Sequence, residues 1–242
     1  MFPLPCSRRT FLRGSAAAAV GCAFEFGTRR AGARESLSLF AFVPVLERPQ
    51  AFQDALVLAL PGVEVTVFGR FVDFKSSMQG RAPDAALALG VSLEAAGVPI
   101  HLRGYAAGSA TEEYVVLAKQ GSQNTTLGVT DVVGRTALPA MVTRLLGLSE
   151  APALQRVLKP ADLLPLLQLD VAGGVIIPAR HVVALRRTTE LSLYVRRYSG
   201  AQLSRAALHF SQRPGTRETL LRNSLEVLPR VMGSTLGIDQ WK

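Results

Sequence analysis

Cysteine occurs only twice in the 242 residues, at Cys6 and Cys22, both close to the amino terminus. If a leader containing them is removed, the remaining chain has no thiol, which excludes disulfides, thiol catalysis and cysteine-ligated metals. Histidine is nearly as scarce: His101, His181 and His209 show no His-x-x-x-His or comparable metal-binding spacing. His101 lies in an apolar, strand-like run and reads as a structural histidine. There is no Gly-x-Ser-x-Gly elbow, no Walker loop and no Gly-x-Gly-x-x-Gly. The neighbouring acids Glu112 and Glu113 would point to opposite faces of a strand, a poor geometry for an acid–base couple. No repeat of solenoid length and no low-complexity tract is present. These gaps leave no marked catalytic, metal or cofactor site, so a non-enzymatic protein without a cofactor is expected. An enzyme would have to draw on unmarked residues.

What is there begins with a core. Hydrophobic residues make up 48% and charged residues 19%, a balance that suits a globular chain rather than a disordered one. The net charge of +9 is unevenly placed: residues 1–33 hold Arg8, Arg9, Arg13, Arg29 and Arg30 against Glu25, so +4 belongs to that segment and +5 to the rest. The other basic residues are scattered, with small clusters at Arg186-Arg187 and Arg196-Arg197. A recognisable nucleic-acid module is missing, so a solvated basic surface is the reading and no nucleic-acid partner is expected. Ser7-Arg8-Arg9-Thr10-Phe11-Leu12-Arg13 resembles the twin-arginine export consensus. A short apolar stretch, Gly14 to Val20, and a small-x-small site at Ala31-Gly32-Ala33 follow it. The apolar stretch is far shorter than the roughly 20 residues needed to cross a bilayer. Residues 1–33 are therefore expected to be a signal peptide that the twin-arginine machinery exports to the periplasm. Ala19-Val20-Gly21-Cys22 fits a permissive lipobox, so lipidation at Cys22 is the competing outcome.

Along the rest of the chain the hydrophobic period switches repeatedly. Ser38–Val43 is an apolar run closed by Pro44, Glu47–Leu60 has helical spacing up to Pro61-Gly62, and Val63–Phe68 alternates as a strand. A strand, a helix and a strand in that order imply a parallel pair. Further elements are expected as a helix at Phe71–Gly80, a small-residue strand at Asp84–Gly90, a helical turn at Ser92–Ala96, and strands at Ile100–Ala106 and Glu113–Ala118. Polar Lys119–Thr125 reads as a crossing between lobes. Leu127–Val129 then starts a second strand–loop–helix unit, with Thr136 as N-cap of a helix to Leu146 and Pro139 tolerable in its first turn. Strands at Gln155–Leu158, Asp170–Ile177 and Leu191–Arg197, and helices at Pro160–Leu167, Gln202–Phe210 and Thr216–Leu236, complete the expectation.

This order resembles the type II periplasmic solute-binding proteins, within them the phosphate- and phosphonate-binding-like branch. The residues that carry the likeness are Phe40–Pro44, Pro83–Ala88, Glu113–Ala118, Gly128–Ala140, Ala172-Gly173-Gly174-Val175, and the closing Leu236-Gly237-Ile238 with Trp241. The resemblance implies an α/β fold of two lobes, each a mainly parallel sheet flanked by helices. Lobe one would comprise residues 36–118 plus 199–242, and lobe two residues 119–198. It implies a small-molecule ligand, phosphate- or phosphonate-like anions among them, captured between the lobes for a transporter permease or a sensor receptor. A degenerate homologue acting as a partner or sensor subunit is the alternative. Ligands of open parallel sheets bind beyond the carboxyl ends of strands, which nominates Pro44, Arg70, Asp73, Ser92, Gly134, Arg135, Thr136 and Gly173. Gly134-Arg135-Thr136 is the sharpest of these, since a helix N-terminus and a guanidinium both favour an anion. Arg70 and Asp73 could instead pair with each other. At Val133–Ala137 the chain departs from the Ser/Thr-rich anion loop of phosphonate binders.

Overall fold

Among the described residues, eleven strands and eight α-helices follow one another between Leu37 and Trp241. The structure is a computed structural model and describes residues 36–211 and 216–242; the expected signal peptide and lipobox lie outside the described residues. The first run is β1 (Leu37–Phe42), α1 (Pro49–Ala59), β2 (Val63–Val67), α2 (Phe71–Gly80), β3 (Ala85–Leu89), α3 (Gly90–Ala96) and β4 (Leu102–Tyr105). Next come β5 (Thr111–Lys119), β6 (Leu127–Thr130), α4 (Leu138–Leu146), β7 (Leu154–Val157), α5 (Leu163–Gln168), β8 (Gly174–Pro178), α6 (Val182–Arg187) and β9 (Leu193–Ser204). The chain closes with β10 (Ala206–Phe210), α7 (Thr216–Leu225), α8 (Leu228–Leu236) and β11 (Gln240–Trp241).

The strands form two sheets. The first runs β11-β4-β10-β3-β1-β2 and the second β7-β6-β8-β5-β9. In the first, β1 pairs in parallel with β2 and β3, as the strand–helix–strand pattern implies, while β10 enters antiparallel between β3 and β4. In the second, β7, β6 and β8 are parallel, and β5 and β9 are each antiparallel to their neighbours. Helices cover both sheets, and residues 36–242 make one compact unit.

Three expectations need correction. Gln202–Phe210 is not a helix: it is the end of β9 followed by β10, whose five residues are all buried. Alanine favours helix in isolation, but a strand enclosed on both faces is uniformly apolar and its period is erased. Strand Glu113–Ala118, expected at the end of lobe one, pairs with β8 and β9 in the second sheet. Lys119–Thr125 therefore stays within that sheet, and the chain crosses between sheets at Ala110–Thr111 and Ser204–Arg205. These two crossings lie side by side, tied by the Arg205 N–H donating to the Ala110 carbonyl at 2.9 Å. Finally, the expected single helix over Thr216–Leu236 is two, with Pro229 in the first turn of α8, where its missing N–H costs nothing.

The core has three parts. One buried cluster lies beneath the first sheet, with Leu39, Phe52, Leu56, Leu87, Leu208, Leu221 and Leu228 among its members. Another covers the outer face of the second sheet through Val115, Leu117, Leu163, Leu167, Val175 and Ile177. The third belongs to both sheets: Phe42, Phe71, Phe74 and Val91 on one side join Tyr114, Val132, Val133, Leu138, Met141 and Ile176 on the other. Phe42 stacks on Phe74 with ring centres 5.6 Å apart, and Phe71 tilts against it at 5.8 Å. This shared apolar layer joins the sheets where their strand ends meet.

Candidate functional site

The carboxyl ends of β1, β2, β6 and β7 converge. Pro44, Phe68, Gly69, Thr130, Lys159 and Pro160 border one small cavity there, and Pro44, Tyr114, Thr130, Met141 and Leu203 border a second. Each holds only about 30 Å³, room for about one or two water molecules. The deep part of the junction is thus filled by the protein itself. Ser92 contributes to the filling: fully buried, it donates from Oγ to the Val132 carbonyl at 2.7 Å, so a helix of the first sheet grips a loop of the second. Tyr114 lies in the same layer, and burial pushes its phenol well above its ordinary range.

Outside this seal lies a groove of about 480 Å³, within the range of small-molecule sites. The opening of α2 supplies Arg70, Phe71, Val72 and Lys75, and α3 supplies Ala95. The other side is the β6–α4 loop, Asp131 and Val133 to Ala137, with Arg156 and Leu158 from the end of β7. Four cations face two acids. Arg70 holds Asp73 through two hydrogen bonds of 2.6 and 2.8 Å, and Arg156 reaches Asp131 at 2.8 Å. Among the described residues, Arg135 and Lys75 have no such partner. The groove therefore keeps a positive excess that can favour an anion.

The loop is shaped by Asp131 and Gly134. The buried Asp131 carboxylate accepts the Gly134 N–H at 2.6 Å, fastening the turn that leads into α4. Gly134 has φ +89°, and a Cβ there would come within 3.2 Å of the Phe71 ring. Thr136 does not cap the helix as expected: α4 begins at Leu138 with Ala137 in the cap position and no side-chain bond, and Thr136 is exposed on the groove. Asp131 has taken over the fastening role from three residues upstream of Gly134.

Of the eight nominated residues, Arg70, Gly134, Arg135 and Thr136 line the groove, and Asp73 is bound to Arg70 beside it. Pro44 lines the two small inner cavities. Ser92 is sealed within the junction. Gly173 lies at the opposite end of the second sheet, where its carbonyl accepts the Lys119 N–H at 3.0 Å and a Cβ would collide with the Asn124 carbonyl at 1.8 Å. It is a glycine of close packing, away from the groove. Sequence reasoning missed Lys75, Arg156 and the apolar lining of Val72 and Leu158. Their positions on helix and strand ends carried no motif, although Arg156 stands out as a charge between Leu154 and Leu158.

A second polar cluster lies at the crossings. Glu112, 7% exposed, is paired with Arg180 and lies 3.9 Å from Arg205. Arg205 also donates to the Ser109 carbonyl at 3.1 Å. Burial and the neighbouring Arg205 lower the Arg180 pKa to about 10, and burial beside Arg180 lowers that of His181 to about 4. Arg180 Nε and His181 Nδ1 have no hydrogen-bond partner among the described residues. Glu113, one residue on, turns outward to Arg197.

Among the described residues no group of three or more His, Cys, Asp or Glu could hold a metal ion, and no helix is long and apolar enough to cross a membrane. No family model and no curated protein sequence matches the chain. Solved structures do. A binding protein component of an ABC phosphonate transporter from Pseudomonas aeruginosa aligns with a TM-score of 0.62 at 10% identity, over 86% of this chain and 82% of that one. A Xanthomonas citri protein bound to ATP aligns at 0.56 and 12% identity, over 86% and 90%. An arginine-bound substrate-binding protein of an amino acid ABC transporter from Streptococcus pneumoniae aligns at 0.53 and 13% identity, over 84% and 92%. The chain has the two-sheet α/β fold of the two-lobed periplasmic binding proteins.

Proposed function

We propose that this chain is an exported solute-binding protein that captures a small anionic solute in the groove between its two sheets. It would present that solute to the permease of an ABC transporter or to a signalling receptor. Export would follow the twin-arginine route, with the periplasm as the working compartment. The lobes of the binding mechanism would be residues 36–110 with 205–242 and residues 111–204, the division that the strand pairings suggest. The observation that carries the reading is the ligand-sized groove with Arg135 and Lys75 unpaired at the junction of strand ends. The opening turn of α4 adds the positive end of a helix dipole beside Arg135. Of the similar structures, one belongs to a phosphonate transporter and one is bound to ATP, both anionic chemistries, while a third is bound to arginine, whose side chain is cationic.

A thermal melt of the exported protein with phosphate, phosphonates and carboxylates tests this. A true ligand at 100 times its dissociation constant stabilises the fold by about 2.7 kcal/mol, a visible upward shift. Arg135→Ala should remove the shift while leaving the ligand-free melt in place. An unaltered shift in that variant would sink Arg135 as a ligand residue.

A second reading is favoured by the shared apolar layer. Sheets joined through Phe42, Phe71, Val132 and Val133 and locked by Ser92 resist parting, which suits a partner or sensor subunit that no longer opens and closes. No melt shift with any solute, together with capture of a membrane receptor or permease by the intact protein, would favour it.

A further inference from the structure

The groove proposed as the solute site is lined with more than cations. Phe71, Val72 and Ala95 come from the first sheet's helices, and Val133, Ala137 and Leu158 from the second sheet's loops. Val72 is 63% exposed and Leu158 41% exposed, so both present open apolar surface beside Arg135 and Lys75. Leu158 also lines the small inner cavity with Phe42, Val43, Val45 and Phe68, so apolar lining continues inward from the groove. A bare inorganic anion gains nothing from such walls and loses water against them. An organic group gains by covering them, at about 25 cal/mol for each Å² removed from water.

We infer that the solute is an amphipathic organic anion: an aryl or branched alkyl group bearing a phosphonate or carboxylate. This rests on the groove being the solute site. The anionic head lies at Arg135 and Lys75, and the apolar body covers Val72 and Leu158. Asp73 and Asp131, held by Arg70 and Arg156, leave the head's place free of uncompensated negative charge.

Isothermal titration of the exported protein tests the inference with inorganic phosphate, methylphosphonate, phenylphosphonate and, as a neutral aryl control, benzyl alcohol. Phenylphosphonate should bind at least about tenfold more tightly than methylphosphonate or phosphate, and benzyl alcohol should not bind measurably. A parallel pair, benzoate against acetate, distinguishes a carboxylate head from a phosphonate one. Equal or tighter binding of phosphate, methylphosphonate or acetate than of their aryl counterparts overturns this inference and leaves the anion site standing. Binding of benzyl alcohol as tight as phenylphosphonate overturns the anionic half. No binding by any anion removes both the site and the inference. The double variant Val72→Ser, Leu158→Ser alters only exposed positions. It should bring the phenyl-to-methyl preference near one; an unchanged preference overturns the apolar role of these two residues.

Discussion

At the crossings, Glu112 is enclosed with Arg180 and Arg205, whereas at the groove Arg135 and Lys75 face a cavity with no counter-charge of their own. Both regions join the two sheets and both are rich in arginine. They differ in what surrounds the charge. A buried guanidinium needs a carboxylate and hydrogen bonds close by, because removal from water costs several kcal/mol per ion. A guanidinium on an open groove keeps its water and stays free for a passing anion. The same residue type thus fastens the junction at one end and leaves it receptive at the other.

The largest test of that contrast is Glu112→Ala. It leaves the half-buried Arg180 and Arg205 without their acid, and urea unfolding should show a loss of about 3 kcal/mol, the low end for an enclosed pair. A loss below 1 kcal/mol would mean that the crossing cluster is as solvated as the groove. Next comes pH. His181 has a pKa of about 4 in the fold against 6.5 for the free side chain, so the unfolded chain takes up the proton first as pH falls. Its contribution is complete above about pH 6.5 and is lost as pH drops toward 4, on the order of 3 kcal/mol. Urea melts of the wild type and His181→Phe at pH 7 and 4.5 should show a smaller pH difference in the variant. Gly134→Ala, at φ +89° and against Phe71, should cost about 1–2 kcal/mol. It should also weaken anion binding, read by a melt with and without ligand. The smallest effect is expected from Arg70→Ala: its pair with Asp73 is exposed on both sides, and such pairs contribute about 0–1 kcal/mol. A larger loss would show that the groove rim is structural after all.

Much of the fold is legible without coordinates, and the reasons differ by element. Phe71–Gly80 reads as a helix at its observed limits, and β1, α1 and β2 fall within a residue or two of their expected ends, because a Pro or Gly closes each. The all-buried segment Ala206–Phe210 hides its period and reads as the end of a helix from Gln202. Strand β5 reads plainly as a strand, but nothing in Thr111–Lys119 says which sheet it joins. Sheet membership is decided by long-range pairing, which local sequence does not encode. In the site, Arg135 and Gly134 could be named from the strand–loop–helix spacing, whereas Lys75 and Leu158 belong to the groove only because α2 and the end of β7 meet across it.

Local chemistry alone therefore settled where β1, α1, β2 and α2 start and stop, to within a residue or two, and which loop carries a guanidinium at a helix entrance. The tertiary structure decided what those parts are worth to one another. It buried Ser92 and set Gly173 at the far end of its sheet, paired Arg70 and Arg156 with acids, and left Arg135 and Lys75 free beside apolar walls. The physical reason is that charge and hydrophobicity act through distance and solvent exposure, and both are set by which segments pack together rather than by which are neighbours in the chain.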